Sequence, residues 1–398
     1  MRLVGPLARF RWPLLIAVAV VDGVLTRRVM PPDLLLFAGS GRDLLTGHLD
    51  RVYADAYNQG GPLQAVAAWL ALPFGPSPSA LLWLHILGNV GVVVLALLGA
   101  RWLRRRSAGR GPSPALELLA GVVLVGFLMP SDLWNGHLSE LAVPLLWMAA
   151  AHLMNSGRSR TAGLALGLSA GFELWGVLAL PLVLLGRGPR HVIRASVVAV
   201  STVLLLYLPF VLTGEFRMFG FVWPISPATL VGHVLPVAEG FPWWMRMVQG
   251  AASAGACAFV VLALRRRAGP DVVWLAPTAT VLVRLALDPT LFSYYWTPAA
   301  IATLAGLVCI DPRVERRRLV LVGGLSYLLF LHWGPTTLRV LALALVIMVA
   351  AVVEARRRQT SMPVEGSGSP SIVADVPRRT VSVPAGQRTR YWSPDRLS

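Results

Sequence analysis

Among the residues able to do chemistry, Asp33 is the best placed. It follows Pro31-Pro32 directly after the first apolar block. A proline at the first helical position starts a helix, so Asp33 falls in the first turn, where the helix dipole favours an ionised carboxylate. Such a group serves as a helix cap, as a general base, or as both. Asp43, Asp50 and Asp55 read as solvated or capping acids. Tyr53, Asn58 and Gln59 stand in a polar and aromatic stretch that ends in a Gly-Gly-Pro turn and Gln64. It suits an ordinary loop or the lining of a sugar site equally well. Cations able to steady a leaving anion are Arg42, His48, His137, Arg217, His233, Arg246 and Arg284. Arg284 lies near the end of an apolar block. It is either a functional intramembrane cation or the partner of Asp288, four residues along one helix face. Arg217 and Arg246 read as interfacial side chains, and Trp223, Trp243 and Trp244 as part of an aromatic belt. His137 and Glu140 share a helix face, as ligand contacts or as packing residues. Their spacing alone makes no metal site, and no cofactor motif is present.

These residues need elements to hold them. The chain has 398 residues, 56% hydrophobic and 14% charged, with a mean hydropathy of +0.64. A water-soluble class is excluded. Apolar blocks of membrane-crossing length predict an all-α integral membrane protein with ten full spans, near 12–30, 79–100, 115–130, 137–154, 195–213, 247–264, 271–287, 294–310, 319–333 and 338–355. All 36 basic residues are arginine, against 19 acids, which rules out a Schiff-base or P-loop lysine. The arginines cluster at block ends, as topology determinants do, and do not mark a nucleic-acid binder. They put both termini in the cytoplasm, and an arginine-only set fits a GC-rich bacterial genome. Thr161–Leu185 carries arginines at both ends, so it reads as a re-entrant hairpin of two half-helices broken around Gly171–Gly176. The long loops 30–78 and 214–246 then lie on the outer face. In the first of them, Leu34, Phe37, Ala38, Gly41 and Leu45 recur at helical spacing and predict a juxtamembrane amphipathic helix. A short apolar run, Ala65–Phe74, follows along the interface. Residues 1–358 make one transmembrane domain, and 359–398, rich in Ser, Pro and Gly, a disordered cytoplasmic tail. Cys257 and Cys309 lie inside apolar blocks and receive no role. The first block has no cleavage site and reads as a retained span.

An Asp just past the first span, then a juxtamembrane helix ending in L-L-T-G and a tyrosine, resembles the C-type membrane glycosyltransferases, most closely family 87. Asn135-Gly136-His137-Leu138-Ser139-Glu140 is similar to that family's G-Q-x-N segment. The hairpin A-G-L-A-L-G-L-S-A-G-F-E-L-W-G is similar to its small-residue hairpin, and Phe292–Pro298 to its aromatic outer loop. Two positions depart from the pattern: Glu173 stands where a lysine is expected, and G-H-L-S-E where G-Q-x-N is expected. The resemblance implies inverting transfer of mannose or arabinose from a polyprenyl-phosphate donor to an envelope glycolipid or glycan. Asp33 would be the base. Arg42, His137, Arg217 and Arg284 would face the phosphate. Tyr53, Asn58, Gln59, Glu140, Tyr294 and Tyr295 would face sugar or acceptor. Membrane lipids are then partners and nucleic acid is not. Independently, the outer face has no supply of nucleotide sugars, and the chain has neither a D-x-D nor a G-x-G-x-x-G motif. Two other classes compete. A transporter or lipid flippase would show two related halves, which this chain lacks, and an inactive scaffold would account for the two departures.

Overall fold

The computed structural model describes residues 4–26, 31–72, 75, 77–108, 113–128, 136–235, 240–265, 269–310, 315–330 and 337–361. The chain falls into two units, Met1–Thr360 and Ser361–Ser398. The second, which contains most of the expected disordered tail, lies outside the described residues except for Ser361. Asn135 lies outside them too.

The described residues are helical throughout, with two isolated β-bridges. A short α1 (Val4–Arg9) leads into α2 (Arg11–Thr26). The first long loop holds α3 (Pro32–Leu45), α4 (Leu49–Val52) and α5 (Pro62–Ala71). Next come α6 (Pro78–Ala108), α7 (Pro114–Leu128), α8 (Ser139–Asn155) and α9 (Ser159–Phe172). A 3-10 segment, Leu174–Leu185, precedes α10 (Pro189–Thr213), and α11 (Leu230–Val234) lies in the second long loop. The chain continues through α12 (Trp243–Leu264), α13 (Asp271–Ala286), α14 (Thr297–Val308), α15 (Arg316–Phe330) and α16 (Thr337–Ser361).

A helix therefore forms at each of the ten predicted spans. Four are long and apolar enough by length and composition to cross a membrane: Pro78–Trp102, Pro189–Thr213, Trp243–Leu264 and Thr337–Arg358. Each keeps most of that apolar surface outside the protein core, as lipid-facing helices do. Helices α13 and α14 are the opposite case. They are apolar on all sides and buried almost throughout, so protein surrounds them. This is a helical, membrane-associated fold.

The hairpin forms as predicted, with its break at Glu173, where the backbone is extended (φ −159°, ψ 141°). Its two halves pack on each other. Gly186, just past the second half, lies against Met154 at the end of α8, close to where α9 begins. The segment thus leaves and returns at one end. At the opposite end, Gly61 N–H donates to Phe172 O (2.9 Å) and the Tyr207 hydroxyl to Ala170 O (2.7 Å). Gly61 has no alternative here, because a Cβ would stand 2.2 Å from Gly171 O.

In α3, Leu34, Phe37 and Gly41 are buried as predicted and Ala38 partly so, but Leu45 is exposed. The last turn of α3 runs past its partner α5, which begins earlier than expected, at Pro62, and buries Gln64, Ala65 and Ala68. The terminal arginine clusters also hold helices together. Buried Glu117 of α7 accepts from Arg11 Nε of α2 and Arg101 Nε of α6. Arg104 donates to the carbonyls of Val308 and Ile310, each at 2.8 Å. Arg318 pairs with Asp271 and, at 2.8 Å, with Glu315.

Candidate functional site

Pro31 caps α3 with an extended backbone and Pro32 opens it, which fixes Asp33 in the first turn. The Asp33 carboxylate takes two contacts from distant segments. The Tyr57 hydroxyl donates to Oδ1 at 3.3 Å, and His137 Nε2 lies 3.0 Å from Oδ2. Burial first, and then the charge of Asp33, raises the Tyr57 hydroxyl above the ordinary phenol range. Tyr57 therefore stays protonated and remains a donor.

His137 reaches Asp33 because Gly136 turns the chain with φ +109° against the first turn of α3. A Cβ on Gly136 would stand 2.5 Å from Leu34 Cα, so only glycine fits. Gln64 fixes the turn on its other side, donating to Gly136 O and accepting from Ser139 N–H at 2.9 Å. The imidazole then stacks on Tyr294 (4.1 Å, 14°) and meets Phe37 edge-on (5.6 Å). With Nε2 turned to Asp33, Nδ1 is the His137 nitrogen left for a ligand.

Glu173 enters from the hairpin break, with its backbone bridged to Gly60. Its Oε2 accepts from the Ser139 hydroxyl at 2.5 Å. The two departures from the family pattern thus touch each other.

Two arginines form the far wall. Arg284, 6% exposed, lies over the rings of Trp175 (4.2 Å) and Tyr295 (4.8 Å). Its Nη1 stands 3.8 Å from Glu140 Oε1 and makes no hydrogen bond. Arg246 stacks on Trp223 (4.1 Å), pairs with Asp288 (3.0 Å) and donates to Gln249 Oε1 (2.9 Å). Gln249 in turn donates to Asp288 (3.0 Å) and to Arg284 O (2.9 Å). Of the two readings of Arg284, the same-helix pair with Asp288 does not form. Each makes its contact across helices, because the core delivers a better-placed partner than the next turn does.

These groups surround a cavity of about 700 Å³. Its lining is polar at Asp33, Tyr57, Gln59, His137, Glu173, Arg246 and Arg284, and it is apolar where the 3-10 segment (Leu174, Val177, Leu178) and α12 (Met247, Gly250, Ala251, Ala254) form a trough. Compared with known proteins, the chain matches no family model, and no curated protein is significantly similar to it.

Of the residues singled out by sequence, Asp33, Gln59, His137, Glu173, Arg246, Arg284, Tyr294 and Tyr295 line this cavity. Glu140 sits behind Arg284. Tyr53 and Asn58 turn inward as supports: the Tyr53 hydroxyl donates to Gly60 O (3.1 Å), and Asn58 Nδ2 to Val52 O (2.6 Å) and Ser40 Oγ (3.0 Å). Arg42 is exposed, and exposed Arg217 pairs with Glu215 at 2.8 Å; neither lines the cavity. His48 Nδ1 contacts Thr46 Oγ1, and His233 Nδ1 contacts Thr229 O. Trp223 and Trp243 line the cavity, whereas Trp244 is exposed as an aromatic-belt residue would be. Sequence reading missed Tyr57, Trp175 and Gln249, and it took Arg246, one of its candidate cations, for an interfacial side chain. Tyr57, four residues past Tyr53 in the same polar stretch, carried a signal. Arg246 and Gln249, three apart at the start of a span, carried a weaker one.

Proposed function

We propose that this chain is a membrane glycosyltransferase using a polyprenyl-phosphate sugar, of the C-type architecture that its motifs resemble. In this reading it crosses a bacterial plasma membrane ten times, with a re-entrant pair and both termini cytoplasmic, and the cavity faces outward. Residues 1–358 are the transferase and 359–398 a cytoplasmic tail. One observation carries the reading: one cavity is lined by carboxylates and two arginines, Arg284 buried and Arg246 partly so, and also by an apolar stretch of the 3-10 segment and α12. Such a mixed lining suits a lipid with an anionic head.

In the proposed reaction the lipid chain occupies the trough and the phosphate faces Arg284 and Arg246, whose fork of donors suits phosphate oxygens. The acceptor hydroxyl sits at Asp33. Its oxygen attacks the anomeric carbon as the bond from that carbon to the phosphate oxygen breaks. Asp33 takes the hydroxyl proton, and polyprenyl phosphate leaves with the electron pair. His137 and Tyr57 hold the carboxylate in place. A buried Arg284 over two aromatic rings needs no reorganisation to meet the growing charge.

The test compares wild type with Asp33→Asn in sealed vesicles of both orientations. Each receives radiolabelled polyprenyl-phosphate mannose or arabinose and a glycolipid extract. Transfer by wild type on the outward face, lost in the variant at equal expression, supports the reading. Equal transfer by both removes Asp33 from catalysis, and movement of the lipid sugar without transfer points to a transporter.

A further inference from the structure

The cavity holds more negative charge than its arginines neutralise. Among the described residues around it, Asp33, Glu140, Glu173 and Asp288 face Arg246 and Arg284 alone, with His137 as the third basic group. Asp288 is taken up by Arg246, Glu140 by Arg284, and Asp33 by His137 and Tyr57. Glu173 is left over. It lines the cavity, its carboxylate accepts from the hydroxyl of Ser139, and among the described residues no arginine or histidine lies within ion-pair distance of it. A carboxylate kept there merely to balance Arg284 would be redundant, since Glu140 already faces that guanidinium.

Position narrows what Glu173 meets. Its carboxylate is held by Ser139, two residues past His137, and Trp175, two residues after it in the chain, lies under Arg284 at 4.2 Å. That sets it between the acceptor end and the phosphate end, where the transferred sugar lies in the proposed reaction. Arg284 Nη1, nine-tenths buried and without a hydrogen bond, is the unmet donor that marks the phosphate end. A neutral sugar offers Glu173 hydroxyls only and leaves its charge uncompensated in a half-dry site. An ammonium group gives a charge-assisted hydrogen bond, and the same cavity is lined by the aromatic rings of Tyr57 and Phe221, which attract cations.

Resting on the glycosyltransferase reading, we propose that the transferred sugar carries a free amine, recognised by Glu173 as its ammonium form. Glu173 is thus a specificity residue that sorts amino sugars from neutral ones.

The experiment measures binding to the purified full chain in lipid nanodiscs by quenching of tryptophan fluorescence, since Trp175, Trp223 and Trp243 line the cavity. The probes are polyprenyl phosphate alone and polyprenyl-phosphate hexosamine, N-acetylhexosamine and hexose. Wild type is expected to prefer the free amine by roughly ten- to a hundredfold, the range of a hydrogen bond to a charged group. Glu173→Gln, which keeps an acceptor for Ser139, should abolish the preference among the three sugars, each affinity being taken relative to bare polyprenyl phosphate in the same variant. Glu173→Asp should retain part of it. Equal wild-type affinity for the three sugars, or a preference that survives in Glu173→Gln, overturns the proposal and leaves the lipid-phosphate reading intact. Failure of wild type to bind any of the four probes overturns both.

Discussion

The pair formed by Glu140 and Arg284 makes the sharpest stability prediction. Glu140 is fully buried, neither oxygen has a hydrogen bond, and its nearest cation is Arg284 at 3.8 Å. With an effective dielectric constant of about 20, that separation is worth about 4 kcal/mol, in the range of about 3–5 kcal/mol for breaking a buried pair by removing one partner. Arg284→Met strands Glu140 and should show the full loss. Glu140→Gln should lose less, because Arg284 keeps Asp288 and Glu173 within electrostatic reach, together with two aromatic faces. The double variant removes both charges, so its loss should fall short of the sum by about 2 kcal/mol or more. Unfolding by SDS in mixed micelles measures all four proteins. Losses that add to within about 0.5 kcal/mol, or a larger loss for Glu140→Gln than for Arg284→Met, would refute the reasoning.

Three further outcomes follow from the geometry. Gly61→Ala drives a methyl into Gly171 O and should cost roughly 1–3 kcal/mol, typical of overpacking, seen as earlier melting and faster proteolysis at the hairpin break. Gly250→Leu should fill the trough beside Leu178, which already lies 3.3 Å from a Cβ at that position; affinity for long-chain polyprenyl phosphate should fall about tenfold, as for a pair of buried methylenes, while a short-chain analogue is spared. Ultraviolet titration of wild type minus Tyr57→Phe should place the missing phenol above its ordinary value of 10.0, because burial and Asp33 both disfavour the phenolate; the Tyr57 hydrogen bond to Asp33 is then present below that point and lost above it.

Local features of the fold were legible in the sequence. Pro31-Pro32 ahead of Asp33 fixes a helix start whatever packs around it, and the glycines flanking Glu173 break an apolar run wherever it lies. Arginine placement located the ends of the helices for the same reason. Pairing across helices was not legible. Arg284 and Asp288 satisfy the same-face rule, yet each finds its partner on another helix, and no spacing within α13 encodes where α8 and α12 will stand. Within the Tyr53–Gln64 stretch, composition does not say which polar side chains turn inward. Asn58 and Tyr53 fold back on the loop's own carbonyls, and Tyr57 is left to reach Asp33. Trp223 and Trp243 went astray for a related reason: an aromatic belt and an aromatic wall have one composition and differ only in which way the loop folds over.

The order in which the chain is made gives the hairpin bridge a further consequence. Gly60 and Gly61 emerge early and dock on a break that appears only with α9, so the first loop has no seat until the hairpin exists. Asp33 gains His137 a little sooner, but Tyr294 closes over that imidazole only near the end of synthesis. Glu140 is likewise made long before Arg284. The nascent chain therefore carries a carboxyl group without its partner until α13 is made, so the seat of Glu140 is completed only late in synthesis.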